Sequence, residues 1–146
     1  MRVVLAVMLL TAAPCFADED PVPGILQKFG LLGTWAIDCA QPASAGNEYS
    51  VYAVSSSGEA TLVYERGEPY RDIVYEIRRA VPLADARLAL QVLRLPERFP
   101  VDLVLLKESD TVRVWSSHTS DGRMLVIDGV ITGNGAPSPR FTHCRS

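Results

Sequence analysis

The chain has few of the residues on which most metal centres and many active sites depend. Its 146 residues include two histidines and three cysteines. No stretch matches a phosphate loop, a dinucleotide-binding fingerprint, a zinc signature or a calcium loop. The formal net charge is −3, and the arginines are scattered, whereas a nucleic-acid surface needs clustered positive charge. We therefore expect neither a cofactor nor a nucleic-acid partner.

The chain also lacks a hydrophobic run long enough to span a bilayer. Arg2 precedes an apolar run, Val3–Ala13, that is too short for a transmembrane helix, and small residues follow it up to Ala17. This pattern predicts a signal peptide over residues 1–17 that is cut after Ala17. The protein is then periplasmic or secreted, with no membrane span after cleavage. A retained anchor and lipidation at Cys15 are the alternatives, although the proline before Cys15 does not suit lipidation.

The cysteine count yields the next prediction. Removal of the signal peptide leaves two cysteines, Cys39 and Cys144. An oxidising compartment favours their pairing. Such a disulfide joins the beginning of the remaining chain to its end, as a closed antiparallel barrel requires.

From Gly33 onward, short alternating segments separated by turn residues predict an all-β protein. A linker over residues 18–24 and a short helix over residues 25–32 precede them. Strands are predicted over residues 33–39, 49–54, 60–65, 71–81, 87–95, 101–107, 111–118, 124–131 and 140–145. Short connections favour an antiparallel up-and-down β-barrel of about eight or nine strands, forming a single domain over residues 25–146. Short, charged strands favour this barrel over an outer-membrane one.

Three turn residues or pairs carry specific expectations. Pro82 should end its strand, because proline cannot donate to a ladder. Asp121–Gly122 should form a type I′ hairpin turn, which needs two residues that tolerate positive φ. Asp128–Gly129 suits a bulge or a turn.

The stretch Gly33-Thr34-Trp35, after a helical lead-in and before a meander, resembles the start of the lipocalins and other calycins. That resemblance implies that Trp35 closes one end of the barrel, beneath an arginine from the last strand, either Arg140 or Arg145. The chain lacks the Thr-Asp-Tyr motif of true lipocalins. It is also similar to small secreted bacterial metalloprotease inhibitors, although their cysteines lie close together. It is most similar to functionally uncharacterised exported bacterial proteins with a Gly-x-Trp start.

Several polar groups could in principle carry chemistry, and each also has a structural interpretation. One set resembles the ingredients of a catalytic triad: Ser116, Ser117, His118, Ser120 and Asp121. These residues are too close along one strand and turn to form a triad, and no Gly-x-Ser-x-Gly elbow accompanies them. His118 and His143 could bind a metal with Asp121 or Asp128, but isolated surface histidines are the default. Asp38 and Asp128 could form an acid–base pair. The better interpretation is that Asp38 points away from the face of Trp35 and Cys39, and that Asp128 belongs to a bulge or turn.

The aromatic residues leave the barrel interior undecided. The set is Tyr49, Tyr52, Tyr64, Tyr70, Tyr75, Trp35 and Trp115. A barrel of eight or nine strands is either filled by side chains or holds one small ligand. We therefore expect a non-catalytic exported module that binds a small apolar ligand or a protein partner. The first alternative is a protease inhibitor acting through residues Asp18–Pro23 or the loops, and an enzyme of unknown class is the second.

Overall fold

The computed structural model describes residues 20–144, so the predicted signal peptide and Arg145 lie outside the described residues. The described part of the chain contains one helix and ten strands. They are α1 (Val22–Phe29), β1 (Gly33–Ala36), β2 (Tyr49–Val54), β3 (Ala60–Glu65), β4 (Ile73–Leu83), β5 (Arg87–Leu95), β6 (Phe99–Glu108), β7 (Thr111–Thr119), β8 (Met124–Ile127), β9 (Val130–Ile131) and β10 (Phe141–Cys144).

The strands form a closed antiparallel barrel, as the sequence predicts. Each of β1 to β7 pairs with the next, and β10 closes the barrel by pairing with both β1 and β7. Trp35 lies opposite His143, and Phe141 lies opposite Val112. β8 and β9 extend the sheet beyond β7 as a separate hairpin. Within residues 20–144, no helix has the length and apolar character needed to cross a bilayer.

A disulfide between Cys39 and Cys144 fastens the closure, and the two Cα atoms are 5.4 Å apart. Three residue pairs join β1 to β10 beside it. The bond spans 105 residues of sequence. The first and last strands are therefore neighbours, as the cysteine arithmetic predicts.

Helix α1 covers one end of the barrel, here called the helix end. The helix begins at Val22, inside the stretch predicted as a linker, and ends at Phe29, where Lys107 Nζ donates a hydrogen bond to the carbonyl oxygen of Phe29 (2.9 Å). Ile25 and Leu26 are buried in the core. Alternate β-strand residues continue this core inside the barrel: Leu62, Ile77, Leu88, Leu90, Val92, Leu103 and Leu105.

Trp35 lies in the core at the helix end, as the calycin resemblance implies, but its ring partner differs from the expected arginine. The Trp35 indole N–H donates to the carbonyl oxygen of Leu31 (2.7 Å). The His143 ring meets Trp35 edge-on, with ring centroids 4.8 Å apart. Arg140 instead pairs with Glu108, at 3.1 Å. Gly33 has φ +117°, and a Cβ there would lie 2.5 Å from His143 Nε2, so this position requires glycine.

Two of the turn predictions need correction. Pro82 does not end β4 but lies within it, opposite Leu88. The pairing of β3 with β4 ends at Glu76. None of the strands described here lies beside the rest of that edge of β4, so a proline there removes no ladder bond. Asp121–Gly122 is not a type I′ turn, because only Gly122 has a positive φ.

The third turn prediction, for Asp128–Gly129, is confirmed. This turn divides the segment predicted as one strand over residues 124–131. Asp128 and Gly129 have φ values of 49° and 74°. Two consecutive residues of positive φ form the tight turn between β8 and β9. The single strand predicted over residues 124–131 is therefore a two-strand hairpin.

Candidate functional site

The end of the barrel opposite α1 is here called the mouth. Its loops are residues 37–48, 66–72, 96–98 and 120–123. Strand pairing places Ser50 beside Tyr64, and Tyr52 and Tyr75 on either side of Leu62. Since alternate residues of a strand share a face, these three tyrosines point into the barrel from β2, β3 and β4.

The three inward tyrosines form an aromatic layer beneath the mouth. Tyr64 and Tyr75 meet edge-to-face, with ring centroids 5.7 Å apart. Tyr52 lies deeper and is only 3% exposed, whereas Tyr64 and Tyr75 are partly exposed. Buried Leu62 and Leu90 belong to the core that fills the barrel below this layer. A ligand that entered the mouth would therefore meet the tyrosines.

The hydroxyl groups of these tyrosines have no protein partner. Among residues 20–144, no group forms a hydrogen bond with the hydroxyl of Tyr52, Tyr64 or Tyr75. In the same part of the chain, the one side-chain atom both sealed from solvent and lacking a hydrogen-bond partner is Arg113 Nε. The oxygen atoms of the three hydroxyls are therefore not fully sealed from solvent. Buried polar groups are usually hydrogen-bonded, so the three hydroxyls are available to water or a ligand.

Burial keeps these hydroxyls protonated. It raises the pKa of Tyr64 well above its ordinary value of 10.0, and the nearby Tyr52 and Tyr75 raise that pKa further. Burial also raises the pKa of Tyr52 and of Tyr75. Each group is a hydrogen-bond donor at neutral pH.

Charged side chains surround the mouth. Glu48 precedes β2 and lies 3.5 Å from Arg66 Nε, across the start of the β2–β3 ladder. Burial raises the pKa of Glu48, and Arg66 partly offsets this by lowering it. Arg94 lies opposite Tyr75 in the β4–β5 register. A cleft of about 400 Å³ opens beside Arg94. Side chains of both charges line it: Arg66, Arg71, Asp72 and Glu97.

The other aromatic residues lie elsewhere. The Tyr49 hydroxyl donates to the carbonyl oxygen of Gln41, and Tyr70 is exposed beneath the Arg66 guanidinium (4.7 Å). Trp115 lies between two guanidinium groups, those of Arg87 and Arg113, at 5.8 and 5.2 Å from its ring centroid. Tyr49 therefore has a hydrogen-bond partner in the loop over residues 37–48, and Tyr70 and Trp115 make cation–π contacts outside the barrel interior.

The structure separates the predicted triad ingredients. Ser117 is buried, at 5% exposure, and adjacent His118 belongs to the opposite face of β7. His118 Nε2 lies 3.1 Å from Asp102 Oδ2 on the outer wall of the barrel. Asp121 accepts a hydrogen bond from the Thr119 hydroxyl, which lowers the pKa of the Asp121 carboxyl.

The residues proposed for a metal site or for an acid–base pair do not come together in the described part of the chain. His118 is on the outer wall, whereas His143 packs on Trp35 with its Nε2 3.2 Å from the carbonyl oxygen of Leu32. Among residues 20–144, no group of three or more histidine, cysteine, aspartate or glutamate side chains is placed to hold a metal ion. Asp38 accepts the backbone N–H of Ala40 in the first loop, and Asp128 lies in the β8–β9 turn.

Sequence reasoning grouped the tyrosines but missed the charged ring around them. The signal was the alternation of Glu48, Ser50 and Tyr52, which places a carboxyl group two residues before a buried inward position. The same period places Arg66 after Tyr64 on β3. Sequence reasoning that follows only the apolar residues misses both Glu48 and Arg66.

Comparison with known proteins finds no matching family model, no matching curated protein and no matching solved structure. The closed eight-strand barrel agrees with the calycin resemblance in architecture. Membership of that family stays a prediction.

Proposed function

We propose that this chain is a non-catalytic binding module of an exported compartment and that its ligand occupies the mouth of the barrel. The observation that carries the proposal is the set of three inward tyrosine hydroxyls that have no hydrogen-bond partner within residues 20–144. Ligand sites combine a concave apolar wall with a few placed polar groups, and the tyrosine layer supplies ring surface and hydroxyl groups beneath the mouth. The disulfide suits an oxidising location.

Native mass spectrometry of the exported protein tests this proposal. The wild-type protein should carry or take up a small molecule from an extract of the compartment in which it resides. The double variant Tyr64→Phe/Tyr75→Phe should lose that molecule, because it lacks the two donors nearest the mouth. Tyr49→Phe is the matched control, since its hydroxyl is bonded to the first loop, and it should keep the molecule. A wild-type protein that binds nothing from the extract contradicts the proposal.

A second candidate function is interaction with a protein partner through the β8–β9 hairpin. Four apolar side chains on this hairpin are 41–45% exposed: Met124, Leu125, Ile127 and Val130. Contiguous exposed apolar surface marks interaction sites. Leu125→Lys/Ile127→Lys should abolish any association seen by analytical ultracentrifugation without changing ligand uptake at the mouth. Association that survives this substitution argues against the hairpin.

The inhibitor alternative concerns residues Asp18–Pro23. Pro23 lies in the first turn of α1, whereas Asp18 and Glu19 lie outside the described residues. Inhibition of a secreted protease should disappear when the residues before Gly24 are trimmed. An inhibitory effect that survives the trimming excludes this segment.

A further inference from the structure

One cavity lies at the helix end, at the opposite end of the barrel from the mouth. Its volume is about 370 Å³, and its lining comes from the C-terminal turn of α1, the β6–β7 turn and β10. Leu32 and Trp35 supply apolar wall. The polar side chains that line the cavity are Gln27, Lys107, Ser109, Asp110 and His143. An apolar wall with a few polar groups is typical of sites for small molecules.

Two of these polar side chains are fixed by the end of α1. Lys107 Nζ donates to the carbonyl oxygen of Phe29 (2.9 Å) and lies 5.7 Å from the centre of the Phe29 ring. His143 Nε2 lies 3.2 Å from the carbonyl oxygen of Leu32. A Cβ at Gly30 would lie 2.9 Å from Lys107 Nζ, so the glycine leaves room for the ammonium group. The wall is therefore held in place without a ligand, which reduces the entropy lost on binding.

The cavity is lined by one ammonium and one carboxylate that do not pair with each other. A lysine ammonium has three N–H donors, and the Phe29 carbonyl oxygen occupies one of those of Lys107. Within residues 20–144, Lys107 forms no ion pair, and the Asp110 carboxylate forms neither an ion pair nor a hydrogen bond. Both charges are therefore available to a ligand.

Opposite charges on one cavity favour a ligand that carries both signs. A purely anionic ligand would also face the Asp110 carboxylate, and a purely cationic one would also face the Lys107 ammonium. Like charges that face each other lower affinity. Lys107 is partly buried whereas Asp110 is exposed, so the anionic group of such a ligand lies deeper than its cationic group.

We propose that the cavity at the helix end binds a free amino acid with a compact apolar side chain. The carboxylate of the ligand pairs with Lys107, and its ammonium pairs with Asp110. Its side chain lies against Leu32 and Trp35. This site is separate from the one proposed at the mouth.

Three probes that share the leucine side chain test the zwitterion class. Free L-leucine carries both charges, isocaproate lacks the ammonium and leucinamide lacks the carboxylate. Isothermal titration calorimetry should show that leucine binds at least about tenfold more tightly than either analogue, because each analogue loses one charged hydrogen bond. An analogue that binds as tightly as leucine overturns the zwitterion class.

Aspartate variants assign the binding to this cavity. Asp110→Asn should weaken leucine binding about tenfold and should not weaken isocaproate binding. Asp72→Asn is the matched control, because it removes the same charge from the loop over residues 66–72 at the mouth, and it should leave leucine binding unchanged. Both aspartates are exposed, so the variants fold, and circular dichroism verifies this. Equal leucine affinities for the two variants overturn the assignment.

The tyrosine variant separates this site from the mouth. Tyr64→Phe/Tyr75→Phe should lose the ligand of the mouth and keep the wild-type affinity for leucine. If this variant loses leucine as well, leucine binds at the mouth, and the inference fails while the proposed function stands. If none of the three probes binds, the inference fails, and the native mass spectrum still decides on the mouth by itself.

Discussion

Replacing Tyr64 by phenylalanine tests whether the Tyr64 hydroxyl contributes to ligand binding or to the stability of the fold. The substitution removes one oxygen and leaves the ring and its edge-to-face contact with Tyr75 in place. A hydroxyl that supports the fold makes a hydrogen bond that the variant loses. Among residues 20–144, the Tyr64 hydroxyl makes none.

The expected magnitudes follow from the hydrogen bonds. An intramolecular hydrogen bond contributes about 0.5–1.5 kcal/mol to stability. Tyr49→Phe breaks the bond to the Gln41 carbonyl oxygen, so its free energy of unfolding should fall by about that amount. Tyr64→Phe breaks no bond and removes a partly buried polar group. Its free energy of unfolding should stay unchanged or rise by up to about 1 kcal/mol.

Urea denaturation monitored by tryptophan fluorescence measures both variants against the wild type. Equal m-values indicate that the extent of unfolding is the same, so the midpoints report stability. Tyr64→Phe should match or exceed the wild type while its ligand affinity falls. A Tyr64→Phe protein less stable than Tyr49→Phe would show that the Tyr64 hydroxyl supports the fold, and the reasoning would be wrong.

Three further perturbations test other parts of the structure by urea denaturation. Cys39→Ser/Cys144→Ser should lower the free energy of unfolding by about 2–5 kcal/mol, because the bond closes a loop of 105 residues; a change below about 1 kcal/mol contradicts this. Gly58→Ala should lower the free energy of unfolding by about 1–2 kcal/mol, because Gly58 has a left-handed backbone. Gly67→Ala should lower it further, because a Cβ at Gly67 would also collide with the backbone of Ala43. Equal losses for the two variants would show that this collision does not occur. Burial raises the pKa of Glu48 above 4.5, so the folded state holds the proton more tightly. Stability relative to Glu48→Gln should therefore fall as the pH rises past 4.5, and a flat difference contradicts it.

The sequence predicts the barrel because strand burial here follows a period of two. β2, β3 and β5 begin and end where the alternation and the turn residues place them. Pairing of Cys39 with Cys144 follows from compartment and count. These inferences depend on local pattern and on two residues that have no other partner.

The prediction fails where neighbours outside the local sequence decide the outcome. Pro82 is tolerated because β3 has already ended beside it, and no property of residues 71–83 shows where β3 ends. The partner of Trp35 is His143 because the register of β10 places it there. A one-residue shift of that strand would move the imidazole to the other face of the sheet.

The mouth is only partly readable from the sequence for the same reason. The alternation of residues along each strand predicts which face of its own strand Tyr52, Tyr64 or Tyr75 occupies. That their hydroxyls remain unbonded depends on the positions of several strands together. Sequence separation hides this convergence, since Glu48 precedes β2 and Arg94 lies on β5, three strands further along the barrel.

The central claim is that the mouth of the barrel is a ligand-binding site whose inner surface carries the Tyr64 and Tyr75 hydroxyls. The most direct measurement is an NMR titration of the isotopically labelled protein with the small molecule that native mass spectrometry finds on the wild-type protein. The account predicts saturable shifts at Tyr64 and Tyr75, with the signals of Arg140 unchanged. Shifts confined to the outer wall around His118, or none at all, would contradict it.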